Sequence, residues 1–169
     1  LILFVCFVCL VSIAHAGPWT RSAGTGFMQL GFSSIGYNKV YNDRSEKANL
    51  PVDVRDNVLQ LFADYGIAEQ LSVSATIPVK FLSVEGKTGT VAAGLLRNKS
   101  GIGDIDIAVK YNLHDAEGFV LSAEALFGLP TGSTSNDDGL RLGDGEFNVT
   151  ARALAGKSFY PVPFYISAD

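Results

Sequence analysis

The sequence predicts an all-β chain, an antiparallel up-and-down meander of the transmembrane-barrel kind, and two observations carry that prediction. Three stretches alternate apolar and polar residues for about ten positions, the length a tilted strand needs to cross the hydrocarbon of a bilayer. Between the strands, short and long connectors take turns: Gly66–Gln70, His114–Gly118 and Tyr160–Pro163 are short, whereas Asn38–Asp56, Phe81–Ser100 and Thr131–Gly143 are long and polar. Tight turns at one end and long loops at the other are the build of an outer-membrane barrel. A soluble sandwich has no reason to sort its loops in this way.

The chain opens on an apolar run, Leu1–Ile13, followed by the small-x-small triplet Ala14-His15-Ala16. Residues 1–16 therefore read as a cleaved signal peptide, and 17–169 as an incomplete outer-membrane barrel domain. The run is too short to span a membrane as a helix. It starts without Met or a positive n-region, so residues are expected to precede it. Cys6 and Cys9 both fall within it, and neither follows Gly, Ala or Ser, which argues against a lipoprotein site. From residue 17 onward the chain has no cysteine, so no disulfide framework, thiolate metal site or cysteine nucleophile is expected there.

The three regular strands come next. Leu71–Lys80 sets Leu71, Val73, Ala75, Ile77 and Val79 against Ser72, Ser74, Thr76 and Lys80. Asp104–Leu113 sets Ile105, Ile107, Val109, Tyr111 and Leu113 against Asp104, Asp106, Ala108, Lys110 and Asn112. Glu146–Ala155 sets Phe147, Val149, Ala151, Ala153 and Ala155 against Glu146, Asn148, Thr150 and Arg152. Period two with one apolar and one polar face is a half-buried strand.

Four segments are less regular. Phe27–Tyr37 keeps Met28, Leu30 and Phe32 in phase but puts Ile35 out of it. Asn57–Tyr65 places Val58 and Phe62 on the side of Gln60 and Asp64, and Phe119–Leu129 places Val120 and Leu126 beside Ser122 and Glu124. Phe164–Asp169 begins a further strand. The count is seven strands, the last incomplete. Because a sheet in lipid must close and single-chain bacterial barrels use even strand numbers, further strands are expected beyond Asp169.

Smaller features fit the same geometry. Tyr65, Tyr111, Phe119 and Phe164 lie beside the short turns, where an aromatic girdle belongs. Pro78 and Pro130 are expected near strand ends, where a missing ladder donor is tolerated. Gly101-Ile102-Gly103 and Gly143-Asp144-Gly145 mark strand entry from the long loops.

With 13 basic and 17 acidic residues and no basic cluster, the chain offers no footprint for nucleic acid. The candidate site is the polar face, whose lumen-directed members are Gln60, Asp64, Lys80, Asp104, Asp106, Lys110, Glu124, Glu146 and Arg152. These residues could set up a transverse field that guides a solute, or simply pair across strands. Asp104-x-Asp106 has no histidine nearby and shares its face with Lys110, which favours a salt-bridge network over a metal site. His114 stands in a short turn beside Asp115, the wrong geometry for a triad, and no GxSxG elbow is present. Ser133–Gly139, with Asp137 and Asp138, reads as a solvated loop rather than a calcium site. No catalytic residue, metal or cofactor is expected, and the chain is not read as an enzyme.

Several short pieces occur in a telling order. They are Gly17-Pro18-Trp19, Gly26-Phe27-Met28-Gln29-Leu30, Ala63-Asp64-Tyr65-Gly66-Ile67, Gly101-Ile102-Gly103-Asp104-Ile105, Leu129-Pro130-Thr131-Gly132 and Gly156-Lys157-Ser158-Phe159. In them the chain resembles the porin-like outer-membrane barrels associated with meta-pathway phenol degradation. That resemblance implies a complete barrel of about twelve strands, a transport role, and no catalytic residues.

The leading expectation is an outer-membrane channel or transporter for small solutes, conceivably apolar or aromatic ones. Its surroundings would be the lipid bilayer, outer-leaflet lipid and the outer-membrane assembly machinery. A second reading is a plugged structural barrel whose outer loops contact surfaces or exopolysaccharide, as the inward Phe62, Val120 and Leu126 suggest. A third is a soluble secreted sandwich or lipocalin-like barrel with its apolar face turned inward. Unlike charges every second residue on the polar face weigh against that third reading.

Overall fold

Alternation drives this chain into strands because only an extended backbone puts every second side chain on one surface. The computed structural model describes residues 17–41, 43, 45–135 and 140–169. The expected signal peptide, with Cys6 and Cys9, lies outside the described residues, as do Asp137 and Asp138.

The strands are β1 (Gly26–Tyr41), β2 (Lys47–Ala68), β3 (Leu71–Gly86), β4 (Leu96–Ile102), β5 (Ile105–Ala116), β6 (Phe119–Leu129), β7 (Asn148–Ser158) and β8 (Tyr165–Ala168). They form one antiparallel sheet in the order β1-β2-β3-β5-β6-β7-β8, with β4 also paired to β3. The sheet curls into a half-barrel, and no helix occurs among the described residues. All-β class, meander topology and seven crossings match the sequence reading, because β4 and β5 are two parts of one crossing. Glu85 to Val79 of β3 pair with Leu96 to Ile102, and Thr76 to Leu71 pair with Asp106 to Tyr111.

The interruption at Gly103-Asp104 has a cause on the neighbouring strand. Pro78, opposite Gln60 in the middle of β3, has no N–H to give. In an antiparallel ladder a residue's N–H and C=O point to the same neighbour. The Pro78 carbonyl accepts from the Gly103 N–H at 2.8 Å, so the missing donor faces the break. Pro78 is therefore a mid-strand residue, not the strand-end residue the sequence suggested.

Two of the expected long loops are mostly strand. Within Asn38–Asp56, Lys39, Val40 and Tyr41 pair with Asn49, Ala48 and Lys47. Within Phe81–Ser100, β3 continues to Gly86 and β4 begins at Leu96. Lys47–Arg55 still alternates, with Ala48, Leu50, Val52 and Val54 half-buried and Lys47, Asn49, Asp53 and Arg55 exposed, but Val52 and Val54 share the face of Asp64, out of phase with Leu59 and Leu61. In the third connector the described residues, 131–135 and 140–143, carry no strand, and the strand after it starts at Asn148 rather than Glu146. The short turns come out close to expectation, with Glu69-Gln70 and Glu117-Gly118 as their tips.

Register lines up the faces. Met28, Ala63, Ala75, Ile107, Phe127 and Val149 form one continuous row across six strands. Met28, Leu30 and Phe32 on this convex side are 69%, 67% and 70% exposed. Ile35 falls on the other face, out of phase as read. The concave side carries the polar rows, and the buried apolar residues are few: Ala108, Val120, Leu142 and Leu154. The apolar surface is thus directed outward, the reverse of a water-soluble barrel.

Candidate functional site: the concave face and its strap

Directly opposed positions on the concave face build a ladder of side chains. Gly66 pairs with Ser72, Ser72 with Lys110, Lys110 with Glu124, and Glu124 with Arg152. The last three alternate in sign, and opposite charges placed directly across strands attract. Lys110 Nζ lies 3.7 Å from Glu124 Oε2, and Arg152 Nη2 is ion-paired to Glu124 Oε1. That second contact is close but not aligned as a hydrogen bond, so Glu124 Oε1 and Arg152 Nε are buried without one. One row further along run Phe27, Asp64, Ser74, Ala108, Leu126 and Thr150. Asp64, Lys110, Glu124 and Arg152 line a common cavity together with Phe62 and Leu126. Two apolar walls and a charged floor therefore share one space.

The other candidates are placed as follows. Gln60 pairs with Gly31 and Pro78, in phase with Asp64. Lys80 pairs with Val58 and Gly101, and Asp106 with Thr76 and Gly128. Asp104 sits in the β4–β5 break and acts as a clasp: its Oδ1 accepts from Gly132 N–H at 2.9 Å and its Oδ2 from Asp144 N–H at 2.7 Å. Glu146 lies in the approach to β7, where its N–H donates to Asp144 Oδ1 at 2.8 Å. His114 is at a bulge of β5, its ring tilted against Phe119 at 6.1 Å.

Asp104 shares the holding of the β6–β7 connector with Lys99 and with Thr131, whose hydroxyl donates to the Gly103 carbonyl at 2.9 Å. Lys99 Nζ donates to the carbonyls of Ser135 and Leu140 at 2.7 and 2.8 Å. Leu142 is 3% exposed and packs over Gly101, which leaves room for it by lacking a side chain. Lys99 and Gly101 are in phase with Lys80, so this connector folds back over the concave face at the long-loop end.

At the opposite end lies an element the strand pattern did not reveal. Gly17–Thr25 crosses the concave face as a strap. Lys110 Nζ donates to the Gly17 carbonyl at 2.6 Å, and the buried Ser122 hydroxyl donates to the Pro18 carbonyl. Trp19 meets the Tyr165 ring edge-on at 5.2 Å. The Thr20 hydroxyl donates to the Glu69 carbonyl at 2.9 Å. Arg21 Nε is 2.9 Å from Asp64 Oδ2, both side chains little exposed, and its guanidinium lies over Phe27 at 4.7 Å. Two strand glycines make space for it: a Cβ on Gly66 would collide with the Ser22 carbonyl oxygen, and one on Gly156 would come 2.7 Å from Pro18 Cγ. Glycine inside a strand weakens it and marks a close backbone approach. Those glycines were one signal in the sequence; at Gly17 and Pro18 the strap is held by its carbonyls, which any residue carries.

A curled antiparallel sheet with an apolar convex face and a charged, partly filled concave face defines an outer-membrane-like β-barrel. The chain belongs to the family described as "Putative MetA-pathway of phenol degradation", whose model matches residues 24–158. Membership associates it with phenol degradation. No curated protein matches the chain.

Proposed function

We propose that this chain builds a barrel in the bacterial outer membrane that passes small solutes, apolar or aromatic ones included, and that it catalyses no reaction. One observation carries the reading: two sets of rows in register, apolar on the convex side and charged on the concave side. Apolar residues on the convex face suit acyl chains, since a lipid-spanning sheet needs an apolar outer band and tolerates a polar lumen. Phe62 and Leu126 beside Ser74 and Thr76 suit a solute with an apolar body and a polar edge. Export through a cleaved signal peptide, insertion by the outer-membrane assembly machinery and contact with outer-leaflet lipid belong to the same proposal. The test is fractionation of the full-length protein, a heat-dependent gel shift, and swelling of protein-loaded vesicles in solutes of graded size. A folded, heat-modifiable barrel that leaves permeability unchanged for every solute sinks the transport reading.

The strap favours a second reading, a plugged barrel that serves as a scaffold for surface contacts through its long-loop end. Replacing the β1–β2, β3–β4 and β6–β7 connectors by short turns would abolish surface binding in that case. Binding that survives the replacement rejects it.

A further inference from the structure

We propose that the strap Gly17–Ser22 is a releasable closure of the short-turn end of the lumen, hinged at Gly24, and that solute passage requires its displacement. The inference rests on the transport reading above. Between Gly17 and Ser22 the strap has no strand partner in the sheet. Its fixings each run through a side chain: Lys110 to the Gly17 carbonyl, Ser122 to the Pro18 carbonyl, Trp19 against Tyr165, Thr20 to the Glu69 carbonyl, and Arg21 to Asp64. Each of these hydrogen bonds can be exchanged for water as the segment lifts, whereas a ladder would have to be broken all along its length. Ladder-type bonding starts only at Gly24, whose N–H donates to the Gly66 carbonyl at 2.8 Å, with Gly66 donating back to Thr25 at 2.9 Å. Gly24 has φ +76 and nothing within 4 Å of where a side chain would begin, so the hinge is open on that side and held only through its N–H.

The walls are prepared for the closed position. Gly66 and Gly156, on β2 and β7, are cleared for the strap's backbone and Pro18 ring. Pro18 is almost completely buried, and Ser122 beneath it has no exposed surface. One element thus reaches β2, β5, β6, β7 and β8 at the same end of the sheet. The same Lys110 that holds Gly17 is paired to Glu124, which ties the closure to the charged ladder that a solute would meet next.

The test uses full-length protein in vesicles and reverses the Arg21–Asp64 charges singly and together. Arg21→Asp and Asp64→Arg each put like charges in contact and should raise solute flux about tenfold. The double reversal should return flux towards the wild-type level. Trp19, the single tryptophan of the chain, should become accessible to a soluble quencher in the single variants and protected again in the double one. Where charge reversal impairs assembly, Thr20→Val with Ser122→Ala removes two tethers without adding charge and is read in the same way. Flux and Trp19 protection equal to wild type in every folded variant overturn the closure while leaving transport standing. If wild type and variants all fold yet pass no solute, the transport reading falls and the closure with it.

Discussion

Gly156 of β7 lies directly beneath Pro18, and a side chain begun there would reach to 2.7 Å from Pro18 Cγ and 2.9 Å from the outer edge of the Trp19 ring. The strand gives up a side chain at this point so that another part of the chain can lie on it. Gly156→Val should therefore push the strap off without disturbing the convex face. The expected result is a red-shifted, more readily quenched Trp19 emission in a barrel that still shows its heat-dependent gel shift. Unchanged emission would mean that the strap does not rest on β7.

Glu124 neutralises two cations from the strand between them. Glu124→Gln leaves Lys110 and Arg152 facing one another across β6 without the carboxylate between them, Arg152 keeping only the more exposed Asp169 at 4.0 Å. Because Arg152 keeps 38% of its side-chain surface exposed, the cost is discounted to about 1–3 kcal/mol. Urea unfolding in detergent should register that loss. Reversal potentials across a bilayer should move towards anion preference, a change that a purely structural pair would not produce.

Asp104 clasps the β6–β7 connector through the N–H groups of Gly132 and Asp144. Asp104→Ala leaves both donors without that acceptor. The connector should then be cut roughly fivefold faster by added protease. Asp104→Asn keeps one acceptor oxygen and should fall between the two. Equal cleavage of all three forms would show that the Lys99 and Thr131 contacts hold the connector without it.

The faces can be checked one residue apart. Ala75 stands in the middle of the convex row, so Ala75→Lys should lower folding stability in lipid by about 2–4 kcal/mol. Thr76, its neighbour on the concave side, should accept lysine at a cost within about 1 kcal/mol. Folded fractions read from the gel shift across lipid titrations would compare the two. The opposite order would turn the sheet inside out.

What the sequence made legible was the part of the sheet with two different faces. Leu71–Lys80 announces itself because Ala75 and Thr76 must sit in different surroundings. The ribbon that carries Lys47–Arg55 alternates as well, but Val52 and Val54 fall on the face of Asp64, so its phase disagrees with the rest of the strand and it reads as loop. Pro78 looked like a strand end because proline removes a donor; its neighbour accommodates the loss by breaking at Gly103-Asp104 instead. Asp64, Lys110, Glu124 and Arg152 were legible as inward groups, and the cavity brings them together. That Lys110 and Ser122 would hold Gly17 and Pro18 was not legible, because a carbonyl acceptor leaves no trace in residue identity.

The strap also constrains the order in which its own contacts can form. Each strand of the meander pairs with one that precedes it closely in the chain, so hairpins can add one after another with little loop-closure cost. The contact of Trp19 with Tyr165 joins residues from opposite ends of the described chain, and it can form only after β8 has docked. The strap's bonds to Asp64 and Glu69 need only β2 and the turn after it, whereas its seating against β8 waits for the wall and closes the longest loop. The ribosome delivers this segment ahead of β1, yet its contact with β8 can close only at the other end of the described chain.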